Sequence, residues 1–506
     1  MEVRVSYGEP EKTQTDALFI GVFEDQKLST SENLAIDNSI GGYLTSLFEK
    51  QELTGSKGEL TLIHTPRHAY PSINSDRIIL VGLGDQSNFT YDVMREVAAS
   101  CSRYLINKGV NHVAAVLPGK SLSSLSPYES AVVLSEGFYL GTYRFDKYKT
   151  RGMPRSIPKI FEIIESDRSN IEAIEKGLSR GFINASSESF ARDLVNEPAN
   201  RLSPTDLSDI AKQMVYTNDV MCKVFDLDQV EALGMGAFVG VAVGASRKPK
   251  FIHLSYSGDK KNKENNVWLI GKAITFDTGG ISLKPASGMA SMKGDMGGGA
   301  AVLSAFKTIS ELAPRINVNA VCAATDNMPS GSAQKPGDVV NAMNGMSIEV
   351  DNTDAEGRLT LADAICYAKT NGATNIIDVA TLTGAARIAL GTGQSAIFGN
   401  DESLISMVID AGKKMGEVFW PLPLDETSKI QNASSIADIK NTGGRSAGSI
   451  TAAHFISEFA VGVPWVHLDI AATSMVSSNK GWYKKGATGV PTRTLINLVV
   501  DLMASK

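Results

Sequence analysis

Apolar and polar positions alternate along the chain as short buried strands and amphipathic helices. Asp16-Ala-Leu-Phe-Ile-Gly-Val-Phe and Arg77-Ile-Ile-Leu-Val-Gly-Leu-Gly are continuous apolar runs bounded by turn residues, the pattern of strands buried on both faces. His112-Val-Ala-Ala-Val-Leu-Pro is a third such run, and helical spacing covers Tyr91 to Lys108 and Pro127 to Leu140. This alternation predicts an α/β domain on a largely parallel sheet. From Arg144 to Lys159 six basic residues and two prolines interrupt the pattern, which reads as an exposed crossing between domains.

A second alternation follows. A long helix is predicted from Ile171 to Val195, ending at Asn196-Glu-Pro-Ala-Asn. Strands are expected at Met221–Phe225, Ala237–Val243, Lys250–Tyr256, Asn266–Gly271, Asn317–Ala324 and Asn375–Leu382. Helices are expected at Gly297–Ala313, rich in small residues, and at Arg358–Lys369. The expected fold class is α/β with two α/β domains. Residues 1–165 form the smaller N-terminal one, and residues 166–506 the larger C-terminal one, with a central mixed sheet flanked by helices.

Composition narrows the class without naming a chemistry. The chain has 506 residues, 43% hydrophobic and 21% charged, which excludes disordered and fibrous proteins. No apolar run reaches the roughly 20 residues of a membrane span, and the N-terminus lacks a signal-peptide pattern. The four cysteines lie far apart, so a reducing cytoplasm is the expected compartment. A net charge of −6 gives no general attraction to nucleic acid or anionic membranes.

Three familiar motifs fail on context. Gly444-Arg-Ser-Ala-Gly448 has the letters of a nucleophile elbow but a turn-like segment before it. Gly82-Leu-Gly84 lacks the third glycine of a dinucleotide loop, and Gly271-Lys272 lacks the rest of a P-loop. The six histidines show no paired ligand spacing, so a bound metal would have to be held by carboxylates.

Two segments supply them: Gly271-Lys-Ala-Ile-Thr-Phe-Asp277, running on through Lys284 to Met292-Lys-Gly-Asp295, and Asp351-Asn-Thr-Asp354-Ala-Glu356-Gly-Arg358. In an extended stretch, Asp354 and Glu356 would converge across Ala355. Asp277 follows a buried strand and precedes a Gly-Gly turn, where α/β proteins place working residues. Four negative charges in otherwise apolar sequence require partners, and the four positive charges of two divalent ions would balance them. Beside a dication the Lys272 amine would lose its proton and become a ligand, whereas Lys284 and Arg358 would stay cationic, free to hold an anion and a developing oxyanion.

Asn352-Thr-Asp-Ala-Glu-Gly-Arg-Leu359 resembles the signature of the leucyl aminopeptidase (cytosol aminopeptidase, M17) family. Gly271-Lys-x-Ile-Thr-Phe-Asp-Thr-Gly-Gly-x-Ser-Leu-Lys284, Met292-Lys-x-Asp-Met296, Asn196-Glu-Pro-Ala-Asn200, Thr381-Leu-Thr-Gly384, Arg445-Ser-Ala-Gly448 and Thr488-Gly-x-Pro-Thr-Arg-Thr-Leu495 resemble the same family in the same order. Ala273 departs from the glycine many members carry after the lysine.

The resemblance implies a macro-like N-terminal domain, a catalytic C-terminal domain, and metal-dependent removal of leucine and other apolar residues from peptide N-termini by a two-metal-activated hydroxide. Two divalent ions per chain, Mn2+ or Zn2+, would be bound by Lys272, Asp277, Asp295, Asp354 and Glu356. Asp277 and Glu356 would bridge them. Lys284 would polarise the scissile carbonyl, and Arg358 would hold a bicarbonate that shuttles the proton. Met292, Thr381, Gly384 and Ala471 would line the pocket for the first side chain. The family also implies a homohexamer acting on peptides with a free N-terminus, with no membrane partner. The alternative is the same enzyme with an added DNA-binding or regulatory role. It rests on the basic stretch 144–159 alone, and net acidity argues against a nucleic-acid partner.

Overall fold

The computed structural model describes residues 1–24, 28, 30–118 and 125–504. The chain divides into two compact units, residues 1–186 with 478–485, and residues 187–477 with 486–506. The boundary after residue 186 falls within the helix Ile171–Asn196.

The first unit is built on six strands: β1 (Glu2–Tyr7), β2 (Ala17–Phe23), β3 (Leu60–His64), β4 (Arg77–Gly84), β5 (His112–Ala115) and β6 (Ile160–Glu165). Their order in the sheet is β1-β6-β5-β2-β4-β3. All neighbours are parallel except β3, which runs antiparallel to β4. Helices Tyr91–Leu105 and Pro127–Thr142 occupy the expected stretches, and Arg95 on the first pairs with Glu136 on the second at 2.8 Å. The basic stretch does not leave this unit. It runs without helix or strand from 145 to 159 and returns to the same sheet as β6. Within it Arg144 and Lys149 both pair with Asp146.

The second unit centres on a mixed eight-stranded sheet. In chain order the strands of its two larger sheets are β7 (Val220–Phe225), β8 (Lys250–Ser257), β9 (Asn266–Asp277), β10 (Asn317–Asn327), β11 (Asp338–Asn341), β12 (Ser347–Val350), β13 (Asn375–Ala380), β14 (Ser395–Gly399), β15 (Phe419–Pro421), β16 (Ile439–Lys440) and β17 (Trp465–Asp469). The large sheet runs β15-β14-β17-β13-β9-β10-β8-β7, while β11, β12 and β16 form a small one. The central strands β17, β13, β9 and β10 are mutually parallel, with antiparallel pairs on either side. Trp268, Trp465, Phe238 and Phe251 are buried in its core.

Two features of this unit place the site. Helix Gly297–Leu312 opens on three glycines, and a Cβ on Gly298 would lie 1.9 Å from the Val379 carbonyl oxygen of β13. Only glycine allows that approach, and the approach seats the segment before the helix beside the ends of β9 and β13. The second feature corrects an expectation. Ala237–Val243 is not a strand, because Gly236–Ala242 is a helix. Its buried residues, Ala237, Phe238, Val241 and Ala242, follow helical spacing, and the Asp363 carboxylate accepts the Phe238 amide at 2.8 Å. A seven-residue apolar run carries too few periods to separate a buried helix from a buried strand.

Candidate active site

Lys272 and Asp277 both lie on β9, five residues apart. In a regular strand an odd separation puts side chains on opposite faces. Here Ile274 pairs with Thr325 and Phe276 with Asp326, so Thr275 is an extra, bulged residue. The bulge shifts the alternation and brings the two side chains to one cluster. It is anchored by the Thr275 hydroxyl, which donates to Asp326 at 2.5 Å.

The second segment arrives as a turn rather than the extended stretch expected. Ala355 N donates to Asn352 O at 3.2 Å, and Glu356 has helical backbone angles at the cap of helix Gly357–Thr370. Convergence is achieved all the same: carboxylate oxygens of Asp277, Asp354 and Glu356 lie within 4.8 Å of one another. Three side chains hold this arrangement that the sequence reading had not singled out. Asn327 donates to Asp277 at 2.9 Å and to the Thr353 carbonyl at 3.0 Å. Thr353 Oγ1 donates to Gly279 O at 2.7 Å, and the Asn441 side chain accepts the amides of Asp351 and Asn352. The polar run Thr325-Asp326-Asn327 at the end of an apolar strand was the available signal for Asn327; Asn441 carried none.

Lys272 Nζ lies 2.9 Å from Asp295 and 2.8 Å from Glu356. A Cβ at Gly357 would stand 2.6 Å from that amine, so the glycine makes room for it. Lys284 Nζ lies 2.8 Å from Asp277 and also pairs with Asp354. Burial opposes both ammonium charges, but the surrounding carboxylates outweigh it and raise both lysines above their ordinary range. Burial raises Asp295, Glu356 and Asp354, and neighbouring carboxylates reinforce it against the lysines. Four carboxylates against two ammoniums leave the cluster short of positive charge, and Glu356 Oε2 is buried with no hydrogen-bond partner. Orphaned, crowded carboxylate oxygens of this kind fit hard divalent cations.

Arg358 begins the helix behind the turn. Its Nη1 donates to the Asn441 carbonyl at 2.6 Å, while Nε has no hydrogen-bond partner. Burial lowers it to about 10, with Glu356 and Asp469 opposing that shift. Unfilled guanidinium donors at a helix N-terminus suit a small planar anion.

A cavity of about 590 Å³ opens on this cluster and is lined by Lys272, Asp277, Lys284, Asp295 and Asp354 together with Met292, Thr381, Gly384 and Ala471. Thr381 Oγ1 donates to Asp295 at 2.7 Å. Asp469, at the end of β17, accepts the Leu382, Thr383 and Ala471 amides and the Thr383 hydroxyl, and so fixes the loop that carries Thr381 to Gly384. No histidine is among the cavity residues; His253 bonds Tyr367 and Asn319, and His467 bonds Asp378.

The sequence profile of the cytosol aminopeptidase family's catalytic domain matches residues 189–496, and that of its N-terminal domain matches residues 19–152. A protein of Solibacter usitatus named probable cytosol aminopeptidase is 43% identical, over 97% of each chain. One of Bacillus subtilis with the same name is 38% identical, again over 97% of each. Among solved structures, a lysine-to-glutamate mutant of tomato leucine aminopeptidase superposes with a TM-score of 0.88 at 32% identity, covering 99% of this chain and 96% of that one. The bottromycin maturation enzyme BotP in complex with Mn gives 0.84 at 30% identity, covering 97% and 100%.

Proposed function

The chain belongs to the cytosol aminopeptidase family and is an aminopeptidase; from that premise we propose that it releases N-terminal residues, leucine and other apolar ones among them, by metal-dependent hydrolysis in the cytoplasm. The observation that carries the reading is the meeting of Asp277, Asp354 and Glu356 within 4.8 Å, beside a cavity of about 590 Å³ that Asp277 and Asp354 line. Asp277, Asp295, Asp354 and Glu356, with Lys272 as a neutral amine, would hold two divalent ions. The manganese in the BotP structure supports Mn2+ as one candidate and Zn2+ remains the other. Such ions, when bound, supply an activated water and a polarised carbonyl.

The chain's own residues do the rest. Lys284, pinned between Asp277 and Asp354, would direct its ammonium at the oxygen of the scissile carbonyl as negative charge builds there. Arg358 would hold a bicarbonate through its unfilled donors and so keep a proton acceptor beside the reacting water, in a cavity without a histidine base. Met292, Thr381, Gly384 and Ala471 would bound the first side chain. In this reading residues 166–506 contain all of this chemistry, and the chain assembles as a homohexamer.

The test is turnover of leucyl amides after chelation and re-addition of defined metals. Activity is expected to vanish on chelation and to return with Mn2+ or Zn2+. Full turnover by metal-free protein would overturn the proposal.

A further inference from the structure

Three cations line the cavity: Lys272, Lys284 and Arg387. The two lysines are occupied, one by Asp295 and Glu356, the other by Asp277 and Asp354. Among the described residues the Arg387 guanidinium, which is exposed, has neither an ion-pair nor a hydrogen-bond partner. A guanidinium carries five donors, and this one reaches the cavity with all of them unspent.

Its position follows from the local fold. Arg387 sits on helix Gly384–Leu390, three residues after Gly384 and therefore on the same face. Nothing lies within 4 Å of where a Gly384 side chain would begin, so the wall is open there and Arg387 borders the open space. The platform beneath is firm, since Thr383 Oγ1 accepts the Ala386 amide at 3.2 Å and donates to Asp469 at 2.6 Å. The cavity's three acidic residues, Asp277, Asp295 and Asp354, all belong to the lysine and carboxylate cluster, which leaves the wall around Arg387 without an anion.

We propose that Arg387 is a specificity residue that admits a first residue ending in a carboxylate, glutamate above all. The inference rests on the aminopeptidase reading. If the cluster receives the free amine and the scissile carbonyl, the first side chain points at the wall that has no carboxylates. There the apolar surfaces of Met292 and Met475 suit the methylene stem, and the guanidinium takes the carboxylate in a bidentate pair. Glutamate thus joins the apolar residues the same walls accept, and lysine is repelled.

The experiment compares kcat/KM for glutamyl, glutaminyl and lysyl p-nitroanilides on the metal-loaded full-length protein, wild type and the variants Arg387→Leu and Arg387→Glu. The glutamyl-to-glutaminyl ratio should fall about five- to tenfold in Arg387→Leu, the size expected for losing a partly exposed charged pair. In Arg387→Glu the lysyl-to-glutaminyl ratio should rise. An unchanged glutamyl-to-glutaminyl ratio overturns the proposal. So does a fall confined to leucyl-leucine relative to leucyl-leucinamide, which would mean that Arg387 reads the peptide's C-terminal carboxylate. Calorimetric titration of glutamate and glutamine into the same proteins gives a readout independent of turnover. A preference for glutamate that disappears in Arg387→Leu supports the inference even if no amide is cleaved, an outcome that would overturn the aminopeptidase reading alone.

Discussion

Removing a carboxylate and removing the arginine beside it should have opposite consequences for metal. Asp354 and Glu356 are acceptor-only groups crowded against Asp277, and a metal is the partner that crowding favours. Asp354→Ala and Glu356→Ala are each expected to abolish peptidase activity while the fold persists, and metal analysis of the purified variants should give fewer than two ions per chain. A fully loaded, active Glu356→Ala protein would contradict the dinuclear proposal. Arginine, by contrast, has no lone pair to offer a metal but can hold a planar anion. Arg358→Ala should keep its metals and lose roughly a hundredfold in turnover, the usual range for a lost proton-transfer group, with an altered response to added bicarbonate. Loss of metal instead would make Arg358 a structural residue.

At the level of elements, the site depends on one irregularity and one anchor. The bulge at Thr275 puts Lys272 and Asp277 at one cluster, which regular alternation from 272 to 277 would have prevented. The anchor is Asp363, buried in helix Gly357–Thr370, whose two oxygens accept the Phe238 amide at 2.8 Å and the Met343 amide at 2.7 Å. It ties the short helix Gly236–Ala242 to the helix that carries Arg358. Asparagine at this position has one acceptor oxygen and would turn an N–H toward a second N–H. Asp363→Asn is therefore expected to cost about 1–3 kcal/mol of stability, read as a lower urea midpoint with an unchanged slope. An equal midpoint would show that the two amides find other acceptors.

For the molecule as a whole, the expectation is assembly. The proposed homohexamer rests on the family resemblance alone and on no contact in the chain. Closed assemblies of this kind would restrict access to short, flexible peptides. Light scattering should return a mass near six times 53.9 kDa, and a monodisperse monomer with full activity would contradict both the assembly and the restriction. No helix among the described residues is long and apolar enough to cross a membrane.

The α/β alternation, the longer strands and helices, the shortage of histidine ligands and the identity of the charged residues were legible in the linear chain, because periodicity, turn chemistry and ligand type are local properties. Lys272, Asp277, Asp295, Asp354 and Glu356 could be picked out as one chemistry from their residue types and flanking glycines. Their meeting could not be derived locally. Asp354 and Glu356 converge through a turn pinned by Asn441, 89 residues beyond Asn352, and not through an extended stretch. The seven-residue run at Ala237 is a helix whose Phe238 amide is accepted by Asp363, 125 residues further along the chain, a partner the local pattern does not reveal. The unpartnered state of Arg387 is likewise invisible in a sequence that has an arginine for every few dozen residues. A side chain's chemistry is carried by its own atoms, but its partner, its face and its neighbours are chosen only when distant segments pack and each buried polar group must be satisfied.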